Sequence, residues 1–105
     1  MSKNLGNLMK QAQKMQEKMG EMQQQLNLKT IEASSGGGMV AATVNGGQEL
    51  VAIKIDPAVA DPKDVDMLQD LVVAAVNEGI RRSKQMVQDE MSKLTAGLGL
   101  PSGLF

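Results

Sequence analysis

Between residues 5 and 26, Leu5, Leu8, Ala12, Met15, Met19, Met22 and Leu26 recur at alternating steps of three and four. This is the a/d stripe of about three heptads. The rest of the surface carries Asn7, Lys10, Gln11, Gln13, Lys14, Gln16, Glu17, Lys18, Glu21 and Gln24, so the helix it predicts, over residues 3–27, is apolar along one narrow seam and wet elsewhere. Such a seam suits a partner helix better than a thick globular core. At about 1.5 Å per residue the helix is roughly 37 Å long, more than the diameter of a small domain. Part of it is expected to project or to cross to another subunit. Ser2 or Asn4 is positioned to cap it, while Gly6 and Gly20 lie inside the pattern and each costs about 1 kcal/mol relative to alanine.

The chain has 105 residues, 42% hydrophobic, with no Cys, His, Trp or Tyr and a single Phe. One small domain is expected, its core built from Val, Ile, Leu, Ala and the nine Met. Without a disulfide or an evident metal site, oligomerisation is the natural way to stabilise so small a core. No apolar run approaches the length of a membrane span and no signal-peptide core precedes the first helix, so the expectation is a soluble cytoplasmic protein. The formal net charge of -1 hides a partition: residues 1–29 carry +3, five lysines against two glutamates, and residues 56–70 carry -4, five aspartates against Lys63. The first segment attracts a polyanion and the second repels one.

After Leu28 the period changes. Residues 29–34 alternate polar and apolar, Gly36-Gly37-Gly38 interrupts, residues 39–45 resume with β-formers, and Asn45-Gly46-Gly47 signals a hairpin into residues 48–55. On the third strand, plain alternation puts Val51, Ile53 and Ile55 on one face and Leu50, Ala52 and Lys54 on the other. An antiparallel meander follows, with one face for a helix and a mixed face for a second copy. The triple glycine reads as an inter-strand turn and not as a phosphate loop, because no Gly-Lys-Ser/Thr follows and a strand comes next. Asp61 is then the expected cap of a second helix over residues 62–94, with Pro62 first and Asp64 and Asp66 in its first turn. Its apolar stripe is broad early and narrows after Ile80, so its first half should lie on the sheet and its second half should extend past it. Residues 95–105, glycine-rich and uncharged, read as a flexible tail. The fold class is thus α+β: a helix, a three-stranded antiparallel meander and a second long helix.

Chemistry for catalysis is scarce. Without His, Cys or Tyr, and with the aspartates accounted for by helix capping, neither an acid-base pair nor a carboxylate metal cluster is expected, and no enzyme activity or cofactor. Two cationic groups remain. Lys10, Lys14 and Lys18 recur every four residues on one side of the first helix. From pattern alone they are either a solvated face relieved by Glu17 and Glu21 or a row of phosphate contacts. Arg81, Arg82 and Lys84 make the second helix locally basic, diluted by Glu78, Asp89 and Glu90.

The run from Leu5 to Met19, together with Ser35-Gly36-Gly37-Gly38, Thr43-Val44-Asn45-Gly46, Lys54-Ile55-Asp56-Pro57, the helix through Met67-Leu68-Gln69-Asp70-Leu71 and the stretch Leu98-Gly99-Leu100-Pro101, resembles the YbaB/EbfC family of bacterial nucleoid-associated proteins. The resemblance spans nearly the whole chain in order. It implies an α-β-β-β-α subunit, a homodimer joined through its sheets with helices projecting like tweezer arms, and binding of double-stranded DNA with little or relaxed sequence preference. It also implies effects on nucleoid organisation and gene expression. It puts Lys10, Lys14, Lys18, Arg81, Arg82 and Lys84 at basic positions of the family. On the sheet the chain departs from it: Ala41, Leu50 and Ala52 stand where many relatives carry Lys or Arg, which implies fewer counterions released and weaker binding. With a single aromatic residue, base stacking on single strands is disfavoured. The competing reading is a protein-interaction module that holds a partner helix with its Met-rich seam and apolar tail and leaves DNA incidental or unbound.

Overall fold

The heptad seam becomes one continuous helix, α1 (Ser2–Leu28), followed by β1 (Thr30–Ser35), β2 (Val40–Asn45), β3 (Leu50–Ile55) and a second long helix, α2 (Val65–Gly97). The structure, a computed structural model, describes residues 2–97. Sheet order is β1-β2-β3 with both pairs antiparallel, the α-β-β-β-α meander expected above. Its extents of 74 × 20 × 16 Å and radius of gyration of 20.0 Å compare with about 13 Å for a compact domain of this length. The helices set this length: 27 residues in α1 and 33 in α2 correspond to about 40 and 50 Å.

α2 packs on β1 and β2. Val40, Ala42, Val59 and Ala75 form the buried core, flanked by Met39, Leu68, Leu71, Val72 and Val76. Close approach comes from a small-residue stripe, Ala75, Gly79 and Ser83, all buried and four residues apart. A Cβ on Gly79 would stand 2.8 Å from Val44 Cγ2. Ser83 Oγ donates to the Asn45 carbonyl at 2.6 Å and accepts from Gln48 Nε2 at 3.0 Å, which ties the helix to the β2-β3 hairpin. The apolar stripe of this helix marks the packing face and includes Ala75, but gives no sign of the close approach at Gly79 and Ser83.

Three local expectations change. α2 begins at Val65 and not at residue 62. Asp61 instead closes a turn, accepting from Lys63 N through its side chain and from Asp64 N through its carbonyl, and Asp64 caps the helix by accepting from Met67 N at 3.2 Å. α2 also continues to Gly97, with Thr95 buried and its hydroxyl bonded to the Met91 and Ser92 carbonyls. Residues 95–97 therefore belong to the helix, while residues 98–105 of the expected tail lie outside the described residues. Finally, an irregularity between Thr43 and Val44 pairs Ala52 with Thr43 but Leu50 with Val44. The extra residue, Val51, moves Leu50 to the helix-facing side beside Ile53 and Ile55, where plain alternation puts it opposite.

The two glycine turns differ in what they ask of glycine. All three residues of Gly36-Gly37-Gly38 have positive φ, 60°, 67° and 95°, a conformation that side chains resist. In the β2-β3 turn the positive φ falls on Gln48, at 65°, while the Asn45 side chain accepts from Gly47 N and Glu49 N. Gly46 serves another purpose. Its N–H donates to the carbonyls of Leu26 and Lys29, each at 3.0 Å, so the end of α1 rests directly on this turn.

Candidate nucleic-acid interface

α1 leaves the sheet at Leu26, which is buried, and its seam opens progressively toward the N-terminus: Met22, Met19 and Met15 are half-buried, while Leu8 and Leu5 are each 61% exposed. The helix thus has a packed root and a projecting arm. Lys29 Nζ secures the root to α2 through Glu90 Oε1 at 3.3 Å, and Lys93 reaches the same oxygen at 3.6 Å.

Lys10, Lys14 and Lys18 are all exposed along this arm. Among the described residues none of them pairs with Glu17, Glu21 or any other acid within 4.0 Å. Rise per residue separates Lys10 from Lys18 by about 12 Å, and each step of four turns the row by about 40°. The three ammonium groups therefore stay on one side of the rod, as point charges free to meet a polyanion.

The cations of α2 are arranged differently. Glu78 accepts from Arg81 Nε at 3.1 Å and from Arg81 Nη2 on one oxygen, and from Arg82 Nε at 3.2 Å on the other. Arg82 Nη1 also donates to the Glu32 carbonyl on β1 at 3.3 Å. Two positions on a helix advance about 200°, so Arg82 and Lys84 fall on opposite flanks of α2. Arg82 lines a groove of about 300 Å³ shared with Ile31, Asp89 and Glu90, and Lys84 lines one of about 340 Å³ shared with Gln48, Met91 and Thr95. The structure brings Arg81 and Arg82 together around one carboxylate, keeps Lys84 apart, and gathers Lys10, Lys14 and Lys18 on the arm. Hydrogen bonds from Arg81 first and Arg82 second hold the Glu78 carboxyl below the ordinary glutamate range.

A depressed carboxyl pKa stabilises the folded chain above the unfolded-state value, a contribution lost as pH falls through the lowered folded value. Carboxyl-detected NMR is expected to find the Glu78 midpoint below that of a free glutamate and to find it restored in R81Q/R82Q. An identical midpoint in both proteins would remove the pairing from solution.

The aspartates of residues 56–70 gather instead where the chain passes from β3 into α2. Asp56, Asp61 and Asp64 accept backbone N–H bonds from Ala58, Lys63 and Met67, so these carboxylates shape turns and cap α2 where the chain leaves the sheet. Charge is graded along the molecule, cationic on the arm and anionic at the start of α2.

Comparison with known proteins gives a consistent result. A family model described as the YbaB/EbfC DNA-binding family matches residues 1–98. A nucleoid-associated protein of Syntrophobacter fumaroxidans is 53% identical over 103 residues, covering 94% of each chain. One of Thermoanaerobacter sp. is 54% identical over 102 residues, covering 97% of this chain and 91% of its own. The crystal structure of an uncharacterized protein from Helicobacter pylori, HP0035, has the same fold, with a TM-score of 0.62 at 24% identity over 74% of this chain and 90% of that one.

Proposed function

The chain belongs to the YbaB/EbfC DNA-binding family, and from that premise we propose that it acts in the nucleoid as a homodimer that grips duplex DNA by its phosphates, with little or relaxed sequence preference. Lys10, Lys14 and Lys18 are the principal contacts and Lys84, Arg81 and Arg82 the secondary ones. The observation that carries this reading is the row of three exposed lysines, without acidic partners among the described residues, on a helix that projects from the sheet. Binding of this kind draws its free energy from counterion release and positions the protein without reading base edges. The role is binding and not catalysis, in keeping with a sequence that lacks His, Cys and Tyr.

Dimerisation has its own support. β3 is an edge strand exposed along its whole length, and on the side where α2 covers β1 and β2 it leaves Leu50, Ile53 and Ile55 open, Ile53 at 40%. An uncovered apolar edge is the surface that a second copy would bury. Light scattering is expected to report a dimer for the wild type and a monomer for I53D/I55D. A wild type that is monomeric at micromolar concentration would contradict this part of the reading.

The test of function is a titration of fluorescently labelled duplex DNA at several salt concentrations. The expected result is saturable binding whose affinity falls steeply with salt. An intact, folded dimer that leaves the duplex unbound at 25–50 mM salt would instead favour a partner helix on the exposed Leu5, Leu8 and Met9 surface of the arm.

A further inference from the structure

The chain has only two arginines, and both grip one carboxylate. Arg81 presents Nε and Nη2 to one oxygen of Glu78, and Arg82 presents Nε to the other. Guanidinium N–H donors gathered on an anion's oxygens are also the chemistry by which arginine holds phosphate. The cluster is accessible, with the Glu78 side chain 35% exposed and those of Arg81 and Arg82 67% and 52%. A nucleic-acid backbone can therefore reach every member. Lys10, Lys14 and Lys18 have no such internal anion among the described residues.

We propose that Glu78 is a built-in competitor for phosphate: it occupies the two arginines in the free protein, and the DNA backbone must displace it before they contribute to binding. The proposal rests on the DNA-binding reading above and deepens it. It divides the cations into two classes. The lysines of the arm are available at once and make the first contacts. The arginines exchange one anion for another, so their contacts add less affinity than two free guanidinium groups would. Exposed pairs of this kind are weak, so the exchange is reversible and a duplex held by the arms can drive it. Asp89 and Glu90, which line the groove beside Arg82, add to the local anionic competition.

The experiment uses the full-length dimer with a labelled duplex of about 30 base pairs, from 25 to 200 mM salt. Compared with wild type, E78Q is expected to bind about tenfold more tightly at 50 mM salt, and its plot of log affinity against log salt should be steeper by about one unit or more, since each phosphate neutralised adds about 0.9. R81Q/R82Q should weaken binding by about threefold, and E78Q/R81Q/R82Q should bind no more tightly than R81Q/R82Q, because the gain from E78Q needs the arginines. E78A serves as a second release variant should E78Q melt early. A direct readout is available because two arginines give two Nε–H signals by NMR. In the wild type both should shift on adding duplex, as phosphate replaces carboxylate.

Unchanged or weaker binding by both release variants, or arginine signals that stay put while the duplex binds, would overturn the proposal and leave Glu78 as a helix-surface staple. The DNA-binding reading would survive that outcome. A wild type that does not bind duplex at 25 mM salt overturns both.

Discussion

Replacing Gly46 with alanine is expected to detach the root of α1 and to lower the melting temperature by roughly 10–20 °C. The ideal Cβ at this position would lie 2.1 Å from the Leu26 carbonyl oxygen, 2.7 Å from its carbon and 3.2 Å from its Cβ. The first two obstacles are backbone, so no rotamer change relieves them. The chain on each side is committed as well: Gly46 N–H bonds to the Leu26 and Lys29 carbonyls, and the Leu26 side chain is only 2% exposed. Making room means moving the last turn of α1 off the hairpin, with loss of both hydrogen bonds and of the Leu26 packing. Overpacking and broken buried hydrogen bonds together cost about 2–4 kcal/mol, and about 1 kcal/mol shifts a domain of this size by 4–8 °C. Gly47→Ala is the control. Its Cβ would meet the Asn27 and Asn45 side-chain oxygens at 3.1 and 3.3 Å, and side chains can yield, so a loss of about 1 kcal/mol or less is expected. Calorimetry that finds the two variants equally stable would contradict this account of the turn.

Converting Lys10, Lys14 and Lys18 together to glutamine is expected to weaken binding of duplex DNA by about a hundredfold or more near 100 mM salt. In the proposed dimer the change removes six cationic contacts, and at about 0.9 per phosphate the salt slope should fall by roughly five. Because lysine and glutamine have nearly equal helix propensity and the three side chains are exposed, circular dichroism and melting should stay close to wild type. Substitution by arginine at the same positions keeps the charge and should keep the binding. A folded dimer carrying three glutamines that binds as tightly as wild type would remove the arm from the interface.

Much of the fold was legible in the residues because local pattern is enough for it. The alternating steps of three and four from Leu5 to Leu26 specify a narrow helical seam, and the structure buries its C-terminal end and leaves Leu5 and Leu8 exposed. The strands fall within two residues of their expected ends. Local pattern does not fix the start of α2, because Asp61-Pro62 and Asp64 are both credible starts, and the Asp61 side chain goes to the turn amide of Lys63. Nor does alternation give the face of Leu50, because a single inserted residue, Val51, reverses it.

The candidate interface divides along the same line. That Lys10, Lys14 and Lys18 share one side of a helix follows from their spacing, since helical geometry is set by residues within a turn of one another. That they lack acidic partners among the described residues, that Glu78 takes both arginines, and that Arg82 and Lys84 border different grooves became visible only with the side chains in place. By itself the sequence determined which elements form, which side of each is apolar and which chemistry is missing. Tertiary structure decided the close approaches: Gly46 against Leu26, Gly79 against Val44 and the uncovered edge at β3. Periodicity reports a residue's direction relative to its own element, whereas the distance between two elements depends on side chains far apart in the chain meeting at full packing density.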